Sequence, residues 1–168
     1  VDTEPMSREA CAQALGLDTS DIGFDDYSPV IASAGVPFVC VPLASRSALA
    51  RISPSAARLI GTFGGGADSV YVFCRDEDGE GDFRARMFAA NMGIDEDPAT
   101  GSAAASLAAV LLAGEKPGEG FHAYDILQGV EIGRSSLIRL GLQVTAGELT
   151  AVTIGGGAVI VSEGMLHV

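Results

Sequence analysis

Between Thr100 and Ala113 this chain carries no charged side chain, and the run Gly-Ser-Ala-Ala-Ala-Ser-Leu-Ala-Ala-Val-Leu-Leu-Ala that follows Thr100 is apolar nearly all round. A helix without a polar face has no side to turn toward water, so it has to be enclosed. The run is too short to cross a bilayer, which takes about 20 apolar residues. The pattern predicts a helix over 99–114, buried on every face over 100–112. Its small side chains let strands approach closely. These requirements point to an α+β fold in which a curved antiparallel or mixed sheet wraps around a central helix.

The start of that helix is as informative as its length. Asp95, Glu96 and Asp97 precede Pro98, and Thr100, Gly101 and Ser102 open the helix. A helix N-terminus presents unpaired N–H groups and partial positive charge. A glycine and two hydroxyls at such a place suit a carboxylate or another anion. Asp97 has two readings that sequence physics leaves open. It can cap the helix, with Pro98 in the first helical position. Alternatively, it can act as a general acid/base beside the anion site, a role that usually needs a second group to complete the proton transfer.

The 168 residues, 48% hydrophobic, suffice for one core and one domain. A net charge of −12 argues against nucleic acid or an anionic membrane as partner. The three cysteines, Cys11, Cys40 and Cys74, are odd in number and show no CxxC spacing. They read as reduced thiols of a cytoplasmic protein. The chain begins at Val1 rather than Met, which suggests a processed or truncated product.

Along the chain, Ser7 caps a helix that Gly16 ends. Two β-branched runs around Gly35, "PVIASAG" and "VPFVCVPLA", read as strands. "SRSALARI" and "SPSAARLIGTF" read as short helices, the second with Ser53 as N-cap and Pro54 in its first turn. "DSVYVFCRD" and "DFRARMFAA" form a hairpin around "DEDGEG". In the second of these strands Phe83, Ala85 and Met87 share one face, and Arg84, Arg86 and Phe88 the other. "SSLIRLGLQV" and "ELTAVTI" make another strand pair, and "GAVIVSEGMLHV" is expected to close the chain as a strand. The repeated "GGGA" is too short to establish an internal repeat.

The remaining motifs offer little chemistry. Asp76, Asp78, Glu80 and Asp82 alternate like a calcium loop, but the twelfth position from Asp76 is Met87, not the bidentate Glu an EF-hand needs. A solvated turn is expected there. His122 and His167 lack any metal-ligand spacing, and no phosphate or dinucleotide loop occurs. The sequence thus calls for no metal and no organic cofactor. "QGVEIGRSS" places Gln128, Arg134, Ser135 and Ser136 around two glycines. It reads as a tight turn into a strand, with Arg134 paired to a surface acid.

The stretch "MFAANMGIDEDPATGSAAASLAAVLL" resembles the signature of the phenazine-biosynthesis PhzF-like isomerase family, in which Glu-Asp-Pro-Ala-Thr-Gly-Ser-Ala opens a buried helix. Glu96–Ala103 matches that element in full. Ala90 stands where the family usually has Pro. "ASAGVPFVCVPL", "QGVEIGRSS" (Ser135 in place of Pro) and "IGGGAVIVSEGML" resemble further family segments. The resemblance implies a diaminopimelate-epimerase-like fold of two similar domains, each a sheet around a helix, with the active site in the cleft between them. Residues 1–168 resemble only the second, C-terminal domain. The family's catalytic Glu and an assisting His lie in the first domain and have no counterpart here. Asp97 matches the family's site Asp, and Gly101-Ser102 the substrate-binding helix start. Relatives that use paired cysteines are disfavoured, because no cysteine lies in the motif.

The expectation is therefore a cofactor-independent isomerase acting by proton shift or epimerisation. Asp97 is the catalytic candidate, and Thr100, Gly101 and Ser102 would bind a small carboxylate substrate. The partner is an N-terminal half, in the same gene or a separate chain, and a homodimer is possible because an inter-domain face would be left exposed. The alternative is a non-catalytic binding or scaffold domain that retains the fold.

Overall fold

Short local signals set the first elements. In a computed structural model that describes residues 3–63, 69–77 and 79–166, the Ser7 hydroxyl accepts the Ala10 N–H at 3.3 Å and so caps α1 (Arg8–Leu15). Gly16, at φ +73°, closes that helix in the left-handed conformation. Ser45 caps α2 (Arg46–Arg51) through the Ala48 N–H. For α3 (Ala56–Phe63) the sequence reading needs a correction. Ser55, not Ser53, accepts the Arg58 N–H, so Pro54 lies before the helix rather than inside its first turn.

The strands are β1 (Thr3–Pro5), β2 (Val30–Ser33), β3 (Pro37–Pro42), β4 (Val70–Arg75), β5 (Phe83–Ala89), β6 (Ile94–Asp97), β7 (Gly120–Gln128), β8 (Ser136–Thr145) and β9 (Glu148–Gly156). They form one mixed sheet in the order β1-β2-β3-β4-β5-β7-β8-β9, with β6 added beside β5. β3–β4 and β5–β7 are parallel, and the other pairs are antiparallel.

The apolar helix α4 (Gly101–Glu115) packs against β2 and β3 near one end of the sheet and against β8 and β9 at the other. Only a curled sheet can meet one helix from both ends, so the expected α+β wrap around a central helix is present. Ala103, Ala104, Leu107, Ala108 and Leu111 are fully buried. The helix begins two residues later than the sequence indicated, and its ends reach solvent at Ser102 and Ala113. Its one fully buried polar side chain, Ser106, accepts the Ala34 N–H and donates to the Val36 carbonyl, which ties the helix to the loop after β2. Gly114 faces the Tyr27 ring so closely that a Cβ would collide with it.

A second core lies on the outer side of the sheet. Val39, Val41, Val70, Val72, Cys74 and Phe88 face away from α4 and pack with residues of α1, α2 and α3. Phe38, Cys40, Tyr71, Phe73, Phe83, Ala85 and Met87 face the helix. The middle strands are therefore buried on both faces, which explains why "VPFVCVPLA" and "SVYVFC" read as unbroken apolar runs.

Three strands were not legible, among them the three-residue edge strand β1. β7, within what looks like a loose segment, pairs with β8 over Gly120–Gln128, and β6 is a four-residue strand directly ahead of α4. The closing strand expected over 157–168 is not found over 157–166; His167 and Val168 lie outside the described residues. Val159, Ile160, Val161, Met165 and Leu166 are 79–91% exposed. An apolar, β-branched pattern supplies propensity, but a strand also needs a paired neighbour, and β9 has none on its far side among the described residues.

Because Leu107 is fully buried, Leu107→Ala should lower unfolding stability by about 2–5 kcal/mol, the range for a core cavity, as read from urea or thermal denaturation.

Candidate functional site

The acidic turn and the "QGVEIGRSS" turn, distant in sequence, meet at the start of α4. Two arginines on one face of β5 bring them there. Arg86 is 7% exposed. Its Nε and Nη2 donate to the Glu96 carboxylate at 3.0 and 2.7 Å, and its Nη1 donates to the Leu49 and Ile52 carbonyls at 2.9 and 3.2 Å. This fork clamps β6 against β5. Arg84 Nε donates to Glu131 at 2.9 Å and so holds the 129–134 turn to the same strand. Glu96 is thus a structural anchor of the acidic motif.

Asp97, the next residue on β6, pairs opposite Met87 and is half-buried. It does not cap the helix through a backbone N–H. Its Oδ2 instead accepts the Thr100 hydroxyl at 2.6 Å. Thr100 is the N-cap residue, and its side chain caps no helix N–H; the sequence placement of Pro98 inside the helix is accordingly corrected, since Pro98 and Ala99 precede it. The Thr100 backbone N–H donates to Gln128 Oε1 at 3.3 Å, so both Thr100 donors are engaged within the protein. The first helical bond runs from the Ala104 N–H to the Thr100 carbonyl, leaving the N–H groups of Gly101, Ser102 and Ala103 ahead of it.

Of these three residues Gly101 lines a cavity of about 900 Å³. Its lining includes Gly101, Ser135, Ser136, Arg139, Ile154 and Gly156. Ser102 is exposed beside it, whereas Thr100 is turned inward. Gly129, at φ +78°, lets the 129–134 turn rest on the Pro98 backbone; a Cβ there would come within 2.8 Å of the Pro98 carbonyl oxygen. Of the sequence candidates, Asp97, Thr100, Gly101 and Ser102 are therefore contiguous, and Gly101 lines the cavity. Arg134 is exposed, and among the described residues it makes none of the ion pairs expected of it. Arg139, which the sequence reading passed over, lines the cavity and faces Asp125 at 3.6 Å. Its alternation along β8 was the available signal. Asp76 departs from the expected solvated turn: it is 3% exposed, and its carboxylate faces Arg46 Nε at 3.3 Å.

The three thiols do not belong to this chemistry. Cys11, Cys40 and Cys74 are buried and unpaired. Burial pushes each up to about 12. A thiol held that high is protonated near neutral pH and a poor nucleophile or base. No helix among the described residues is long and apolar enough to cross a membrane.

Comparison with known proteins follows the same outline. The family model for phenazine biosynthesis-like proteins (PhzC-PhzF) matches residues 1–164. An uncharacterized isomerase of Mesorhizobium japonicum is 40% identical over 98% of this chain and 58% of its own length. A trans-2,3-dihydro-3-hydroxyanthranilate isomerase of Pseudomonas chlororaphis is 43% identical over 50% of this chain and 30% of its own. The crystal structure of a PhzF-family phenazine biosynthesis protein of Bacillus anthracis superposes with a TM-score of 0.78 at 22% identity, over 91% of this chain and 52% of that one. The chain spans about half the length of the curated relatives it matches.

Three outcomes check this geometry. Arg86→Ala, which strands Glu96 as a buried unpaired charge, should cost about 3–5 kcal/mol in denaturant unfolding. Lys116→Ala, at a pair that is 72% and 78% exposed, should barely move the same transition. An aromatic disulfide reagent at pH 8 should leave Cys11, Cys40 and Cys74 unlabelled in the native protein and label all three in denaturant.

Proposed function

The chain belongs to the phenazine biosynthesis-like family, and from that premise we propose that it forms one wall of a cofactor-independent isomerase site acting on a small carboxylate substrate. The observations that support this reading are the cavity that Gly101 lines at the start of α4 and the hydrogen bond from the Thr100 hydroxyl to Asp97 just ahead of that helix. The substrate carboxylate docks on the N–H groups of Gly101 and Ser102, where the helix dipole is positive. Ser135 and Ser136 supply hydroxyls from the opposite wall. As a proton leaves the carbon skeleton, negative charge develops, and preorganised N–H donors stabilise it without reorganisation.

Asp97 gives or takes one of the two protons in the shift. A transferred proton needs a group within about 3 Å at each end, and among the described residues the cavity lining itself holds no carboxylate or imidazole. The proposal therefore assigns the other acid/base to a second lobe closing over this face, either in the same polypeptide or in a partner chain. Three buried, unpaired thiols suit a reducing compartment such as the cytoplasm.

The reading is tested by solvent-deuterium incorporation into trans-2,3-dihydro-3-hydroxyanthranilate and simpler hydroxy-carboxylates, followed by mass spectrometry. The protein joined to its second lobe should incorporate label, and the 168-residue chain by itself should not. Asp97→Asn should fold normally and slow incorporation by about 10²–10⁴-fold. Robust turnover by the isolated chain would overturn the two-lobe assignment, and an undiminished rate in Asp97→Asn would leave only a binding module.

A further inference from the structure

We propose that Gln128 is a positioning residue that decides which oxygen of Asp97 carries the transferred proton, an inference that rests on the acid/base reading of Asp97. Gln128 ends β7 and is fully buried. Its amide is oriented by two backbone groups. Oε1 accepts the Thr100 N–H at 3.3 Å, and Nε2 donates to the Asp97 carbonyl at 2.7 Å. Turning the amide over would set donor against donor and acceptor against acceptor, so one orientation is enforced.

The second Nε2 hydrogen has one destination, the Thr100 hydroxyl oxygen at 3.0 Å. An amide nitrogen cannot accept, so Thr100 Oγ1 must receive that bond. The single Thr100 hydroxyl proton is then free to point only elsewhere, and Asp97 Oδ2 lies 2.6 Å away. Two protons cannot share that gap. Oδ2 is thereby committed as an acceptor, and a protonated oxygen is a poor one. The proton that Asp97 exchanges with substrate resides on Oδ1. The order runs from backbone to amide, from amide to hydroxyl, and from hydroxyl to carboxylate. Each link is fixed by whether the atom can donate. Gln128 is absent from the cavity lining, holds the Asp97 backbone through its carbonyl, and reaches the Asp97 carboxylate through the Thr100 hydroxyl.

A purely structural Gln128 would fill the joint between β7 and α4 without orienting the hydroxyl. The two roles separate by NMR on the chain without any substrate. The wild type should show a slowly exchanging Thr100 hydroxyl proton with an Overhauser contact to the Gln128 side-chain amide. Gln128→Met keeps the length and removes the donor. It should abolish that resonance while the backbone amide spectrum stays dispersed. Gln128→Glu, which accepts the hydroxyl proton itself, should turn Thr100 away from Asp97. Should either variant fold poorly, the pair Thr100→Val and Thr100→Ser reads the same relay, with the hydroxyl lost in the first and restored in the second.

In the deuterium assay of the two-lobe protein, Gln128→Met and Thr100→Val should lower kcat about 10-fold or more with KM within about twofold. Thr100→Ser should recover the rate. A hydroxyl resonance unchanged in Gln128→Met, or a Thr100→Val rate equal to wild type, would overturn the assignment of Gln128 alone. An undiminished Asp97→Asn rate with the hydroxyl resonance intact would instead overturn the acid/base reading of the site, and this assignment with it.

Discussion

Everything in this fold answers to one requirement, the enclosure of a helix that has no polar face. Between Ala103 and Leu111 every α4 side chain but the half-buried Ala105 is buried, and a sheet that merely lay against the helix would leave half of it wet. The sheet curls until β2 and β3 meet one side and β8 and β9 the other. Alanine and serine along the helix keep the curl tight. An enclosed helix still has an open end, and the N–H groups of Gly101, Ser102 and Ala103 are the ones that the wrap cannot satisfy internally. The same burial that stabilises the core thus delivers a partly positive helix end to the mouth of the sheet.

The polar groups around that mouth are held from behind. β5 is the keel: one face packs Phe83, Ala85 and Met87 onto the inner core, while Arg84 and Arg86 on the other face grip Glu131 and Glu96. Each ion pair fixes a turn that bears on the site. A buried pair is a poor source of net stability, because desolvation offsets its attraction. Its value here is geometric. Arg86 sets the register of β6 and hence the position of Asp97, and Arg84 sets the turn that carries Ser135 and Ser136 to the cavity. The Gln128 amide then joins the two turns through Thr100.

The relatives extend this picture without completing it. Membership of the phenazine biosynthesis-like family rests on a match over residues 1–164, and the curled sheet matches a PhzF-family structure at 22% identity. Such a likeness establishes shape. The chemistry proposed for the site comes from the arrangement of Asp97, Thr100 and the helix start, and from a cavity that is open on one side of the described chain.

Much of the fold was legible because its signals are local. The charge-free run announced α4 and its enclosure, Ser7 and Gly16 bracketed α1, and the alternation of Phe83 to Phe88 assigned each side chain to its face. The Glu-Asp-Pro-Ala-Thr-Gly-Ser-Ala element marked the candidate site by resemblance. What could not be read locally depended on partners far along the chain. β7 looked loose because its pairing with β8 is not written in its own residues, and 157–166 looked like a strand although no neighbour among the described residues pairs with it. The second core was hidden because an unbroken apolar run does not say what covers its other face. Glu96 and Asp97 are adjacent acids in sequence, and nothing there distinguishes them. Arg86, ten residues away, and Gln128, thirty-one away, make one an anchor and set the other on Thr100. A residue's type determined what bonds it could make, and only the folded arrangement of donors and acceptors decided which of them it makes.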